Sequence, residues 1–191
     1  MKKLMTLALA VIMVLALVAC GGAADDSAAG GNGTGFGADS AVAVLENAWT
    51  SYPEDQKFPV MGGDYENMVE NAPGAVNHAD AEYMESMLGV TADAASMVDG
   101  AASLIHAMMT NNFTCGAYHL TDAANTDAFV AAMKDSLTTR QWICGQPEKI
   151  VIVSDGAGYV VAMFGLADPI DGVAAQLTAM GGTVVVDEPV A

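Results

Sequence analysis

Positive charge is what this chain has least of: six lysines and arginines stand against 23 aspartates and glutamates in 191 residues, a formal net charge of −17. Binding to phosphate backbones needs clustered Lys and Arg, so no nucleic-acid partner is expected. Histidine and cysteine are equally scarce, at three each. His78, His106 and His119 have no second histidine or cysteine at zinc-ligand spacing, and a zinc centre needs three or four such donors. No metal and no cofactor is expected. The methionines sit singly or as one pair and read as adaptable core filler rather than as copper ligands. Gly156-Ala157-Gly158 is no phosphate cradle, because a strand-like run follows it where a helix would have to begin. Ser154 stands beside Asp155 without an evident histidine partner, so a serine nucleophile is not indicated. Asp155, Asp168 and Asp171 are each accounted for by turn formation or helix capping, and no catalytic residue is assigned.

Long apolar runs are absent as well. The run from Leu4 to Ala19 has 16 residues, fewer than the ~18 expected of a spanning helix. Lys2 and Lys3 precede it and Leu17-Val18-Ala19-Cys20 closes it, the layout of a secretory signal. This ending resembles the lipobox of bacterial lipoproteins. The resemblance implies cleavage before Cys20, acylation of its thiol with diacylglycerol, and attachment of the mature chain, as a palmitate-type lipoprotein, to the extracytoplasmic face of a membrane. An ordinary secreted signal peptide with a chance cysteine is the alternative. Residues 1–19 carry two of the six basic residues and no acidic one, so the mature formal charge is −19. Such a charge opposes docking on anionic lipid through side chains and leaves the lipid on Cys20 as the membrane attachment.

Residues 21–40 hold seven glycines and few large side chains, the composition of a flexible tether with a reach on the order of 25 Å. The lipidated cysteine and tether therefore occupy 20–40. Residues 41–191 are enough for one globular domain.

Within that domain, Val42, Leu45 and Trp49 predict an amphipathic helix over 41–52. The prolines and glycines of 53–77 predict mostly irregular chain. Short helices follow over 78–88 and 92–98, and 101–109 reads as a strand, with helix as the alternative. Further on, Phe113–Leu120 reads as a strand. A helix capped by Asn125 or Thr126 should run to about Cys144, with Phe129, Met133, Leu137 and Arg140 on one face. Residues 150–153 and 159–164 form a hairpin whose arms are apolar on both faces, hence interior to the sheet. Asp168 caps the next helix ahead of Pro169, and 183–186 is a last strand. The order strand, helix, strand, strand, helix, strand over about 113–186 is that of a ferredoxin-like split βαβ α+β fold. In that fold both helices cover one face of an antiparallel sheet.

Tyr118-His119-Leu120-Thr121-Asp122, the helix ending in Arg140 and the hairpin with Gly158-Tyr159-Val160-Val161 resemble the bacterial lipoproteins, common in Firmicutes, that carry a domain of unknown function. Leu88-Gly89-Val90 and Met108-Met109 belong to the same pattern, which covers roughly residues 78–180. The resemblance implies a fold and a location and brings no ligand. Arg140 and Tyr159 are the candidate ligand or ion-pair residues: Arg140 either extends to the sheet edge or pairs with a carboxylate or ligand in a groove. Cys115 and Cys144 are an even pair in an exported domain, for which a disulfide and two separate buried thiols are both natural readings. The function expected is a lipid-anchored extracytoplasmic module that binds an envelope protein or a small ligand. The second reading is a hydrolase-type enzyme that acts on an envelope or extracellular substrate through a carboxylate-lined groove.

Overall fold

The computed structural model describes residues 35–143 and 145–190. The signal segment, Cys20, most of the tether and Cys144 lie outside the described residues. Eight strands build one sheet: β1 (Val60–Gly62), β2 (Val69–Glu70), β3 (Gly74–Val76), β4 (Val98–His106), β5 (Phe113–Leu120), β6 (Lys149–Ser154), β7 (Tyr159–Gly165) and β8 (Thr183–Pro189). Their order is β2-β1-β4-β5-β7-β6-β8, β3 also pairs with β4, and every pairing is antiparallel. The α+β class holds. The apolar arms β6 and β7 lie inside the sheet, where both of their faces are covered.

On one face, α1 (Ala41–Ser51) and α5 (Ala167–Ala179) press Val44, Leu45, Trp49, Ile170 and Leu177 onto Leu104, Cys115, Val151 and Met163. On the other, α2 (Ala81–Ser86), α3 (Ala92–Ala95) and α4 (Thr126–Thr139) cover Tyr118, Ile150, Ile152 and Phe164 with Tyr83, Met84, Phe129 and Met133. Here the structure departs from the ferredoxin-like order, which puts α4 and α5 on one face and the last strand beside the first. β4 already occupies the edge of β5, so β8 joins β6 instead. The crossovers β5-α4-β6 and β7-α5-β8 then travel the same way across the sheet from strands of opposite direction. Crossovers of one hand must in that case place their helices on opposite faces.

Several local boundaries also differ from expectation. Helices α2 and α3 are shorter than 78–88 and 92–98. The strand expected over 101–109 is β4, Val98–His106, which takes Val98 from the expected helix and leaves Met108 and Met109 in the turn that follows. Helix α4 stops at Thr139 rather than near Cys144. The hydroxyls of Thr138 and Thr139 donate back to the carbonyls of Lys134 and Asp135 at 2.8 and 2.7 Å, and Arg140 turns extended. The stretch 53–77 holds β1, β2 and β3, each of two or three residues and ordered by pairing rather than by pattern. Finally, Phe36, assigned by composition to the tether, is only 2% exposed and packs in the α1/α5 core. The folded body therefore extends back beyond residue 40.

Candidate functional site

The chain between α1 and β1 runs across the end of the sheet at which β5 begins. Tyr52 ends α1, and Phe58, just before β1, places its ring 5.1 Å from that of Phe113 and 5.6 Å from that of His106, on which it stacks. Opposite this aromatic wall, Leu166, Asp168 and Pro169 open α5. Gly172 permits the approach, since a Cβ there would lie 2.6 Å from the Tyr52 ring. Between the walls is an open groove of about 720 Å³. Asp168, Asp171, Gln56 and Asn112 supply its polar edge.

The carboxylates of this groove are not equivalent. Lys149 Nζ donates to Asp171 Oδ1 at 2.6 Å and also lies 2.9 Å from Asp187, so Asp171 is paired with an ammonium that it shares with Asp187. Asp168 is exposed, and its charge adds to burial in raising the pKa of Tyr52. It does not cap α5 as expected. The helix begins at Ala167, whose N–H donates to Glu148 Oε2 at 2.8 Å. His106 is committed as well: Nδ1 accepts from the N–H groups of Met108 and Met109 at 3.1 and 3.3 Å. In the neutral ring the proton then sits on Nε2. The groove thus offers one carboxylate without an ion-pair partner among the described residues, Asp168, beside apolar and aromatic walls.

The two residues singled out in the sequence are not brought together. Arg140 follows α4, donates from Nη2 to the Ser86 carbonyl, and lies 5.1 Å over the Trp142 ring. Burial lowers its pKa, against an opposing pull from Glu85. Its role is to tie the end of α4 to α2. Tyr159 starts β7 at the far end of the sheet, on the α1/α5 side, its ring 4.7 Å from that of His119. Burial, then Asp39, Asp155 and Asp99, raises its pKa. His119 Nδ1 pairs with Asp99, a residue that the bulge between Val98 and Gly100 swings toward it. Cys115 is a free, fully buried thiol on the α1/α5 face, its pKa pushed far up by burial, whereas α4 covers the opposite face.

Sequence reasoning missed Tyr52, Phe58 and Leu166, which are scattered through irregular chain and element ends. It also missed Glu148, whose partner lies 19 residues away. The prolines flanking Tyr52 and Phe58 were the available signal, because they mark a fixed aromatic-bearing connection. Comparison with protein-family models, with curated proteins and with solved structures finds no match to this chain.

Proposed function

We propose that the protein is a lipid-anchored extracytoplasmic binding module whose groove between the Tyr52–Phe58 connection and the start of α5 holds a ligand with an ammonium group beside an apolar or ring-shaped part. The observation that carries this reading is Asp168, the groove carboxylate with no ion-pair partner among the described residues, at the edge of an aromatic and aliphatic groove. Cations are attracted to aromatic faces and to carboxylates alike. A formal charge of −17 raises their local concentration further. Gly35 lies against Asp155 in the β6–β7 turn, at the end of the sheet away from the groove. A groove remote from the point where the anchored chain enters the body suits capture of a ligand from outside. Attachment through Cys20 rests on the lipobox-like ending of the signal and on the resemblance to bacterial lipoproteins. Hydrolysis is disfavoured because Asp171 is held by Lys149 and His106 Nδ1 by two backbone N–H groups.

Benzylamine and its neutral analogue benzyl alcohol test the reading by NMR titration. Benzylamine should shift the amide signals of Asn112, Leu166 and Asp168 at lower concentration than the alcohol, and Asp168→Asn should erase that difference. Equal responses to both probes, or shifts located elsewhere, would overturn it.

A further inference from the structure

Three of the ten methionines that follow residue 19, Met61, Met68 and Met87, line one small cavity on the α2 side of the sheet, and Met108 and Met109 lie in the turn between two of its lining segments. Register accounts for the gathering. Met61 on β1 pairs with Ile105 of β4, and Gly62 pairs with Val69 of β2, which sets Met68 beside it. Met87 follows α2, and Met108 and Met109 ride the turn after β4. Met61, Met68 and Met87 line a pocket of about 120 Å³, together with segments on either side of Met108-Met109. Spacings of 7, 19 and 21 residues give no periodic signal in the sequence.

Met61 and Met87 are half-buried, Met87 against the core, while the remaining three reach the surface. Met68 is 61% exposed, Met108 81% and Met109 48%, whereas Met84, Met133 and Met163 are fully buried. His106 shapes the cluster without offering it a lone pair: its Nδ1 accepts the N–H groups of Met108 and Met109, so it positions the turn that carries them. Asp64 adds an ionised carboxylate to the pocket wall, and the edge-on rings of Tyr65 and Tyr83 stand 5.0 Å apart beside it. Among the described residues no three His, Cys, Asp or Glu side chains gather as a metal site; the soft donors lining this pocket are the thioethers of Met61, Met68 and Met87.

We infer that this methionine pocket binds a soft monovalent metal cation of the copper(I) and silver(I) class. Thioether sulfur is a soft donor that such ions accept, whereas magnesium and calcium take oxygen. Each methionine has three rotatable bonds before its methyl group and can swing sulfur toward a common point. The acidic surface and the Asp64 carboxylate supply the attraction that neutral sulfur ligands lack. The proposal is independent of the neighbouring groove, which contains no sulfur.

Silver(I) is the probe, because it binds without a redox step. It is titrated into the full mature chain in detergent, carrying Cys144→Ser so that this thiol cannot compete, with 13C in the methionine methyl groups. At one equivalent the Met61, Met68 and Met87 signals should shift, with Met108 and Met109 following, while Met84, Met133 and Met163 stay in place. The combined Met61→Leu, Met68→Leu and Met87→Leu variant, a volume-conserving change, should lose the one-equivalent endpoint. Met68→Leu alone, at an exposed rim position that cannot unfold the core, should weaken binding. An endpoint retained in the triple variant, silver shifts confined to other methionines, or a response to benzene with none to silver would overturn the inference.

Discussion

Asp64 shows what one residue contributes. Oδ1 accepts from the N–H groups of Glu66 and Asn67 and from Asn67 Nδ2 at 3.1, 2.9 and 3.1 Å, and Oδ2 accepts from the Asn77 N–H at 2.8 Å. The Asn77 bond and its companions outweigh burial and hold the carboxyl below its ordinary pKa. One side chain thereby ties the turn after β1, which carries Tyr65 and leads to Met68, to the residue that follows β3. Asp64→Ala should cost about 3 kcal/mol at neutral pH, because a charge-assisted set of bonds is lost and buried donors are left unpaired. The folded pKa is below the unfolded one, so the stabilisation is full above the unfolded value and disappears as pH falls through the folded value. Urea unfolding of both proteins from pH 7 down to pH 3 should show the gap between them narrowing below pH 4. A gap independent of pH would mean that the ionised carboxylate does not hold the loop. Lys149 has the opposite sense. Burial depresses its pKa, but the bonds to Asp171 and Asp187 prevail and raise it, so its contribution is present at neutral pH and is lost only in alkali.

At the scale of elements, the start of α5 separates what local sequence can tell from what it cannot. Asp168-Pro169 has the local signature of a capped helix start, yet the first N–H that needs a partner belongs to Ala167 and finds Glu148, just before β6. Glu148→Ala should therefore lower stability by about 1 kcal/mol, a fall of about 3 °C in Tm, whereas Asp168→Ala should change it less. The reverse order in thermal unfolding would return the cap to Asp168. The same contrast explains how far the fold was legible. Strands β5 to β7, helix α1 and the cores of α4 and α5 could be read because their apolar patterning is local, whereas β4 is open between strand and helix over 101–109 and β8 is legible only over 183–186. β1 to β3 could not, since runs of two or three residues carry no period and owe their order to β4. The face taken by α5 was hidden for a related reason: it follows from where β8 pairs, and that depends on β4 already filling the edge of β5. Of the candidate sites, the aspartates of α5 were visible as capping residues. The aromatic wall opposite them was not, because Tyr52 and Phe58 stand in proline-flanked chain with no repeat. Phe36 is a single aromatic within a run of glycines, and averaging over composition conceals one buried anchor.

At the scale of the whole molecule, the first described residue and the candidate groove lie at opposite ends of the sheet. The chain enters beside the β6–β7 turn, where Gly35 meets Asp155, and the groove and the methionine pocket share His106 at the other end. Strand β5 connects these ends across eight residues, about 24 Å at the rise of an extended strand. Such a separation makes anchoring and binding separable by mutation. Cys20→Ala removes the only thiol in the lipobox-like segment and should move the exported protein from the membrane to the soluble fraction. Two or three acyl chains would otherwise hold it firmly, at ~0.8 kcal/mol for each buried methylene. The released protein should retain the benzylamine response of Leu166 and Asp168, because neither groove wall includes the point of chain entry. Fractionation after confirmed export decides the first half: a protein that leaves the cytoplasm and still sediments with the membrane would remove Cys20 as the anchor. The titration decides the second, since loss of the groove response in the released protein would mean that the N-terminal segment takes part in binding.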